Sequence, residues 1–218
     1  MKYYRYSMDM VKLNVFCIVL FIPILVLVYF WDFGSYMNLT TLVLYFFWMF
    51  LHEILHGIGF SFSKVNHKNI VYGANLEKGI FYCMCKELIG KKGIMVSLMF
   101  PFVLIGILTL IIGFLINSPV LIILSLFNIA GCAGDIAMFL SFLFLPGFSY
   151  IDLDDCTGFV LVSESDLSKH RLFGMKLVEV GDYDDLTLAQ DYRKITVSKL
   201  SWVIFCVMLL FLLISFIV

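Results

Sequence analysis

Charge is scarce in this chain. Of 218 residues, 15 are Lys or Arg and 16 are Asp or Glu, 14% in all, while 62% are hydrophobic. Soluble domains carry about a quarter charged residues, so that class is excluded and a polytopic membrane protein is expected. Other absences narrow the function further. The chain has no glycine-rich phosphate-cradling loop, internal repeat, low-complexity linker or concentrated basic patch. These absences argue against nucleotide cradling, repeat arrays, a nucleic-acid partner and the repeat-built architecture usual in carriers. Six cysteines are scattered, without the spacing of a disulfide framework.

What the chain does have is apolar length. Hydrophobic runs occupy about 13–31, 39–62, 94–116, 120–145 and 200–218, each near or above the roughly 18–20 residues a helix needs to cross hydrocarbon. The expected fold class is an all-α polytopic membrane protein of about five transmembrane helices, with a small cytoplasmic β-hairpin and a small cytoplasmic α/β or β appendage. Residues 1–146 make its membrane core, with the hairpin at about 69–86; 147–199 make the appendage, and 200–218 a C-terminal transmembrane helix. The basic start at Lys2, Arg5 and Lys12 resembles a signal peptide. The run after it is long and no small-residue cleavage site follows, so it is expected to remain as an anchor. All 15 basic residues fall before the first run, between the second and third, or between the fourth and fifth, and the turns 32–38 and 117–119 contain none. Basic segments stay in the cytoplasm, which predicts a cytoplasmic N-terminus and an external C-terminus.

Four ionisable side chains lie deep within these runs: His52, Glu53, His56 and Asp135. Placing such groups in hydrocarbon costs at least a few kcal/mol each on insertion scales, which marks them as functional candidates. Leu51-His52-Glu53-Ile54-Leu55-His56-Gly57 is a His-Glu-x-x-His motif. Residues four apart share a helix face, so His52 and His56 can offer two imidazole nitrogens to one metal ion, with Glu53 beside them as a base. Counted at about 1.5 Å per residue, His52 and Asp135 lie at matching depths, roughly 14–15 Å from the inner ends of their runs. Asn128, Gly131, Cys132 and Asp135 share one small, polar helix face. Gly57 and Gly59 clear space for a second helix or a substrate backbone.

Between the second and third runs, Ile70–Tyr72 and Ile80–Cys85 read as a hairpin whose edge is suited to hold an extended peptide, or as a ribbon lying against the bilayer. Cys83-x-Cys85 lacks a partner pair at ligand spacing, and His67 reads as a loop residue. After Pro146-Gly147 the chain becomes polar, with strand-like runs at 158–162 and 173–180. Asp182, Asp184 and Asp185 lack the Gly and Glu spacing of a calcium loop and read as a solvated turn.

The residues His52-Glu53-x-x-His56-Gly57, Phe100-Pro101-Phe102 and Asn128…Gly134-Asp135, with Asp154-Asp155…Gly158-Phe159 as a weaker match, resemble the putative zincin peptidases of bacterial membranes and, more distantly, the site-2 proteases. The likeness covers about 45–165. Where the site-2 proteases have Asn-Pro-Asp-Gly, this chain has Gly134 before Asp135 and Ile136 after it. The resemblance implies a zinc metalloprotease of the bacterial cell membrane acting on a membrane or juxtamembrane peptide substrate near the cytoplasmic side. His52, His56 and Asp135 would hold Zn²⁺, Glu53 would be the catalytic base, and Asn128 is a candidate for steadying the oxyanion or substrate, or for bonding two helices together. The same cluster is also compatible with a metal or ion transporter, or with a catalytically idle accessory protein. No oligomeric state follows from the sequence.

Overall fold

Long apolar segments fold as helices because hydrocarbon offers no partner to a backbone amide except one along the same helix. The computed structural model describes residues 1–8, 10–31, 33–75, 80–153, 159–170 and 175–180. Helix α1 spans Met10–Phe30 and includes Pro23. Helix α2 spans Leu39–Ser61 and starts where the Asn38 side chain accepts the Thr41 N–H. Helix α3 (Lys91–Pro101), a π-helical stretch (Phe102–Leu108) and α4 (Thr109–Leu115) follow one another as a single 25-residue rod. Ser118 caps α5 (Pro119–Gly131), and α6 covers Ala133–Leu143.

The expectation of an all-α protein with five membrane-crossing helices is met in part. Among the described residues, α2 and the Lys91–Leu115 rod are long and apolar enough to cross, and α5 with α6 adds a third only if a pair bent by 48° counts as one span. The expected fourth helix breaks at Cys132, beside Gly131 and Gly134, where small residues give the helix little side-chain packing to keep it straight. The first run lies on α1, 21 residues long, of which Val15–Phe30 is an apolar stretch. The fifth run, 200–218, lies outside the described residues. Val43, Phe46, Phe47 and Phe50 on α2, and Val103, Ile107 and Ile111 on the rod, are exposed, an apolar surface that suits lipid and not water.

Strands cover one end. Strands β2 (Ile70–Asn75) and β3 (Ile80–Cys85) form the hairpin that the alternating pattern predicts, pairing Tyr72 with Cys83. A second, antiparallel sheet runs β4-β5-β6-β1-β7, from β4 (Ile89–Gly90), β5 (Ser149–Asp152), β6 (Phe159–Ser163), β1 (Lys2–Met8) and β7 (Met175–Val180). The last two strands of the chain order, β6 and β7, form near the strand-like runs. Strand β1 is the departure: the N-terminal segment, read as a basic leader to the first helix, instead fills the gap between β6 and β7. The main core joins this sheet to the helix ends, with Tyr4, Leu161 and Phe142 fully buried against Ile94 and Leu98 of α3. Lys91 closes the end of α6, its Nζ donating to the Leu143 and Leu145 carbonyls.

Candidate metal centre

His52 and His56 project from one turn of α2, and a different element fixes each ring. His56 is the deeper, 8% exposed. Its Nδ1 lies 2.9 Å from the Ser97 carbonyl oxygen on α3. A carbonyl only accepts, so Nδ1 carries the proton and Nε2 keeps a free lone pair. Ser97 grips the same residue again, its Oγ donating to the His56 carbonyl at 2.8 Å. The helices come this close because position 59 is glycine, where a Cβ would stand 2.5 Å from the Ser97 Cα. His52 is fixed by a side chain: its Nδ1 lies 2.9 Å from Asn128 Oδ1 on α5. The Asn128 Nδ2 donates to the Pro101 carbonyl at 3.4 Å and faces Cys132 Sγ at 3.6 Å. His52 therefore also donates from Nδ1 and presents Nε2 as an acceptor.

The two presented nitrogens meet a carboxylate. Their Nε2 atoms are 3.0 Å apart, and Asp135 Oδ2 lies 3.3 Å from that of His52 and 3.5 Å from that of His56. Asp135 reaches them from the first turn of α6, so the break at Cys132 aims it. With both Nδ1 protons committed elsewhere, three lone-pair-bearing atoms face one another in a partly buried place. That is unfavourable unless a cation or proton lies between them. A tetrahedral zinc with bonds of about 2.0–2.1 Å holds its ligand atoms roughly 3.3 Å apart, and the three separations bracket that value. Two imidazoles and one carboxylate, each imidazole braced through its other nitrogen, form a donor set that fits such an ion and leaves a fourth position open.

Glu53 lies one residue from His52, off the ligand direction, yet lines the same cleft of about 280 Å³ with His52, His56 and Asp135. The Cys83 backbone N–H of β3 faces its carboxylate. Phe60, Ile94, Leu98 and Met138 make the rest of the wall mostly apolar, and Phe81, Tyr82 and Cys83 border it from the hairpin. The hairpin is held at two points. The Tyr72 phenol packs over Gly57, where a Cβ would come within 1.8 Å of its oxygen. Asp152 on β5 accepts the Cys85 N–H at 2.8 Å and the Tyr150 hydroxyl at 2.5 Å. Burial, outweighing those two bonds, pushes the Asp152 carboxyl up to about 6.

Asn128 is a candidate either for steadying an oxyanion or substrate or for a helix-to-helix bond; in the structure it is not among the residues lining the cleft, and its amide is engaged by His52, Pro101 and Cys132. The first two are helix-to-helix bonds, from α5 to α2 and to α3. Cys132 was not read as part of the site. Its Sγ lies 3.9 Å from His52 Nδ1, and with His52 and Asp135 it forms a group whose potential ligand atoms lie within 4.8 Å of one another. Its position on the Asn128–Asp135 face was the available signal. The nitrogens and oxygen of His52, His56 and Asp135 lie within 3.5 Å of one another, closer than the 4.8 Å of the group with Cys132, so that set fits better. Ser97 and Cys83 contribute backbone atoms, for which a sequence carries no signal. Neither Cys83 nor Cys85 joins that group; both thiols are free, with Cys85 pushed up to about 11 and Cys83 also raised, in each case chiefly by burial. His67 lies exposed in a short 3₁₀ turn, His67–Asn69, while Asp182, Asp184 and Asp185 fall outside the described residues.

Fold and site together define a class: a membrane-type helical protein with a His-Glu-x-x-His cluster arranged to receive a cation. Residues 45–150 match the model of the family described as putative zincin peptidase, so the resemblance seen in the motifs holds over a stretch running from α2 into β5. No curated protein and no solved structure matches the chain.

Proposed function

We propose that the protein is an integral-membrane zinc peptidase that hydrolyses peptide bonds in a membrane or juxtamembrane segment on the cytoplasmic side. One observation carries this reading: Nε2 of His52, Nε2 of His56 and Oδ2 of Asp135 converge from two separate helices within 3.5 Å, with the ring protons held elsewhere. When bound, Zn²⁺ polarises the scissile carbonyl and makes water a competent nucleophile near neutral pH. Glu53 accepts the proton of the attacking water and returns it to the leaving amine. The apolar wall excludes bulk water and favours uncharged side chains around the bond that is cut.

The substrate backbone is proposed to lie along the outer edge of β3. Cys85 gives its N–H to Asp152 and Lys86 gives its own to Asn69, so the odd-numbered residues Phe81 and Cys83 turn their amides away from β2 and towards the cleft. An extended peptide pairing there would lie beside Glu53. The deciding experiment is metal analysis with a cellular processing assay. Glu53→Gln should keep its zinc and lose turnover; His52→Ala and Asp135→Ala should lose both. Full processing by Glu53→Gln would end the proposal. Separately, Phe81→Pro should impair processing with zinc retained, and unchanged processing would remove the edge-strand element alone.

A further inference from the structure

Every backbone carbonyl inside an α-helix is ordinarily taken by the N–H four residues later. For Ser97 that residue is Pro101, still within α3, and proline has no N–H. The Ser97 carbonyl is thus left without its helical donor. It is this carbonyl that lies 2.9 Å from His56 Nδ1. The carbonyl of Pro101 itself accepts from Asn128 Nδ2, and Asn128 Oδ1 faces His52 Nδ1. One proline thus stands behind both imidazoles, by a missing donor on one side and by its own oxygen on the other.

We propose that Pro101 is a positioning residue for the metal centre: by withholding an N–H from Ser97, it gives His56 a fixed acceptor that locks the ring as its Nδ1–H form, with Nε2 turned to the cluster. It does so in concert with Asn128, which does the same for His52. The inference rests on the metallopeptidase reading for its purpose, although not for its geometry. An alanine at 101 restores the donor, so that His56 then shares the Ser97 oxygen with a helical N–H and loses its sole hold on it. Helix propensity favours Ala over Pro strongly, so the exchange should not be lost to a weaker helix.

The test compares the full-length protein with Pro101→Ala in the same detergent, using imidazole ¹⁵N resonances of the metal-free form at pH 8 and zinc affinity by competition with a chromophoric chelator. Wild type should show His56 Nδ1 fully protonated, whether or not Nε2 shares a proton with the cluster. The variant should show a mixture of tautomers and a zinc affinity lower by about 10–100-fold, the range for lost ligand-bracing partners. Asn128→Ala should free the His52 ring and leave His56 locked. An unchanged His56 tautomer in Pro101→Ala with zinc binding within twofold would overturn the inference. If Pro101→Ala does not fold, wild type carries the test: a hydrogen-bond coupling between His56 ¹⁵Nδ1 and the Ser97 carbonyl carbon must be present, and its absence overturns the inference. Wild type that takes up no zinc, yet shows His56 locked and Pro101→Ala releasing it, would sink the metallopeptidase reading and leave the positioning role standing.

Discussion

The two walls that hold the histidines are built differently. On the α3 side, each bond joins a side chain to main chain: the Ser97 carbonyl accepts from the His56 ring, the Ser97 hydroxyl donates to the His56 carbonyl, and Gly59 lets the two helices press together. On the α5–α6 side, a side-chain amide holds His52 across a helix break, beside glycines 131 and 134, where an added Cβ would meet nothing within 4 Å. The first wall is filled; the second has room. A bond to backbone is fixed by the helix that carries it, whereas a bond to Asn128 depends on that side chain's own rotamer. The α3 wall therefore sets where the centre lies, and the α5–α6 wall brings Asp135 to it.

The same substitution on the two walls breaks or confirms this contrast. Gly59→Ala should have the largest effect on the fold, about 1–3 kcal/mol or more of stability from overpacking, with zinc binding weakened because Ser97 is pushed from His56. Thermal unfolding and metal titration of the purified protein check it, and a near-neutral result would mean the walls do not differ. The hairpin adjoining both walls comes next. Asp152 has its carboxyl raised to about 6 from an ordinary 3.8, so the fold favours its protonated form. That contribution is complete below about pH 4 and is lost as pH rises through about 6, worth about 2 kcal/mol after discounting its partial exposure. Stability measured across that window should fall less in Asp152→Asn, which keeps an acceptor for the Cys85 N–H. An identical slope in both proteins would refute it.

Asn128→Ala should cost about tenfold in zinc affinity, roughly 1.4 kcal/mol, with little change in fold stability beyond one lost interhelical bond. Were it to bind zinc as wild type does, the α5 wall would not be bracing His52. Gly134→Ala should be the mildest, stabilising α6 by about 0.5–1 kcal/mol through helix propensity. Its methyl would sit at the cleft lining, so any loss should show as slower processing of bulky substrates with zinc content unchanged. A destabilised protein would show that the α6 wall is as tightly filled as the α3 wall.

Much of this centre could be read before any coordinates. The spacing of His52 and His56, the shared depth with Asp135 and the hairpin over 69–86 follow from helix rise and strand alternation, which are local properties. The break at Cys132 was not legible, since Gly131 and Gly134 are equally common within unbroken membrane helices. Nor was β1, because Lys2–Met8 becomes a strand only where β6 and β7 leave a place between them. The register of β3 was beyond reach as well. Alternation says which side chains share a face, but which amides point outward depends on where pairing with β2 begins.

By itself the sequence determined that this chain is a membrane-type protein and that two imidazoles, a base and a distant carboxylate are available to one cation. Both follow from residue identity and helical periodicity. Tertiary structure alone decided that Asn128 braces a ring and does not line the cleft, that Cys132 stands beside the centre, and that a serine carbonyl holds His56. Those are contacts between backbone and side-chain atoms of separate helices. Their distances depend on how closely α2, α3 and α5 pack, and no local pattern encodes that.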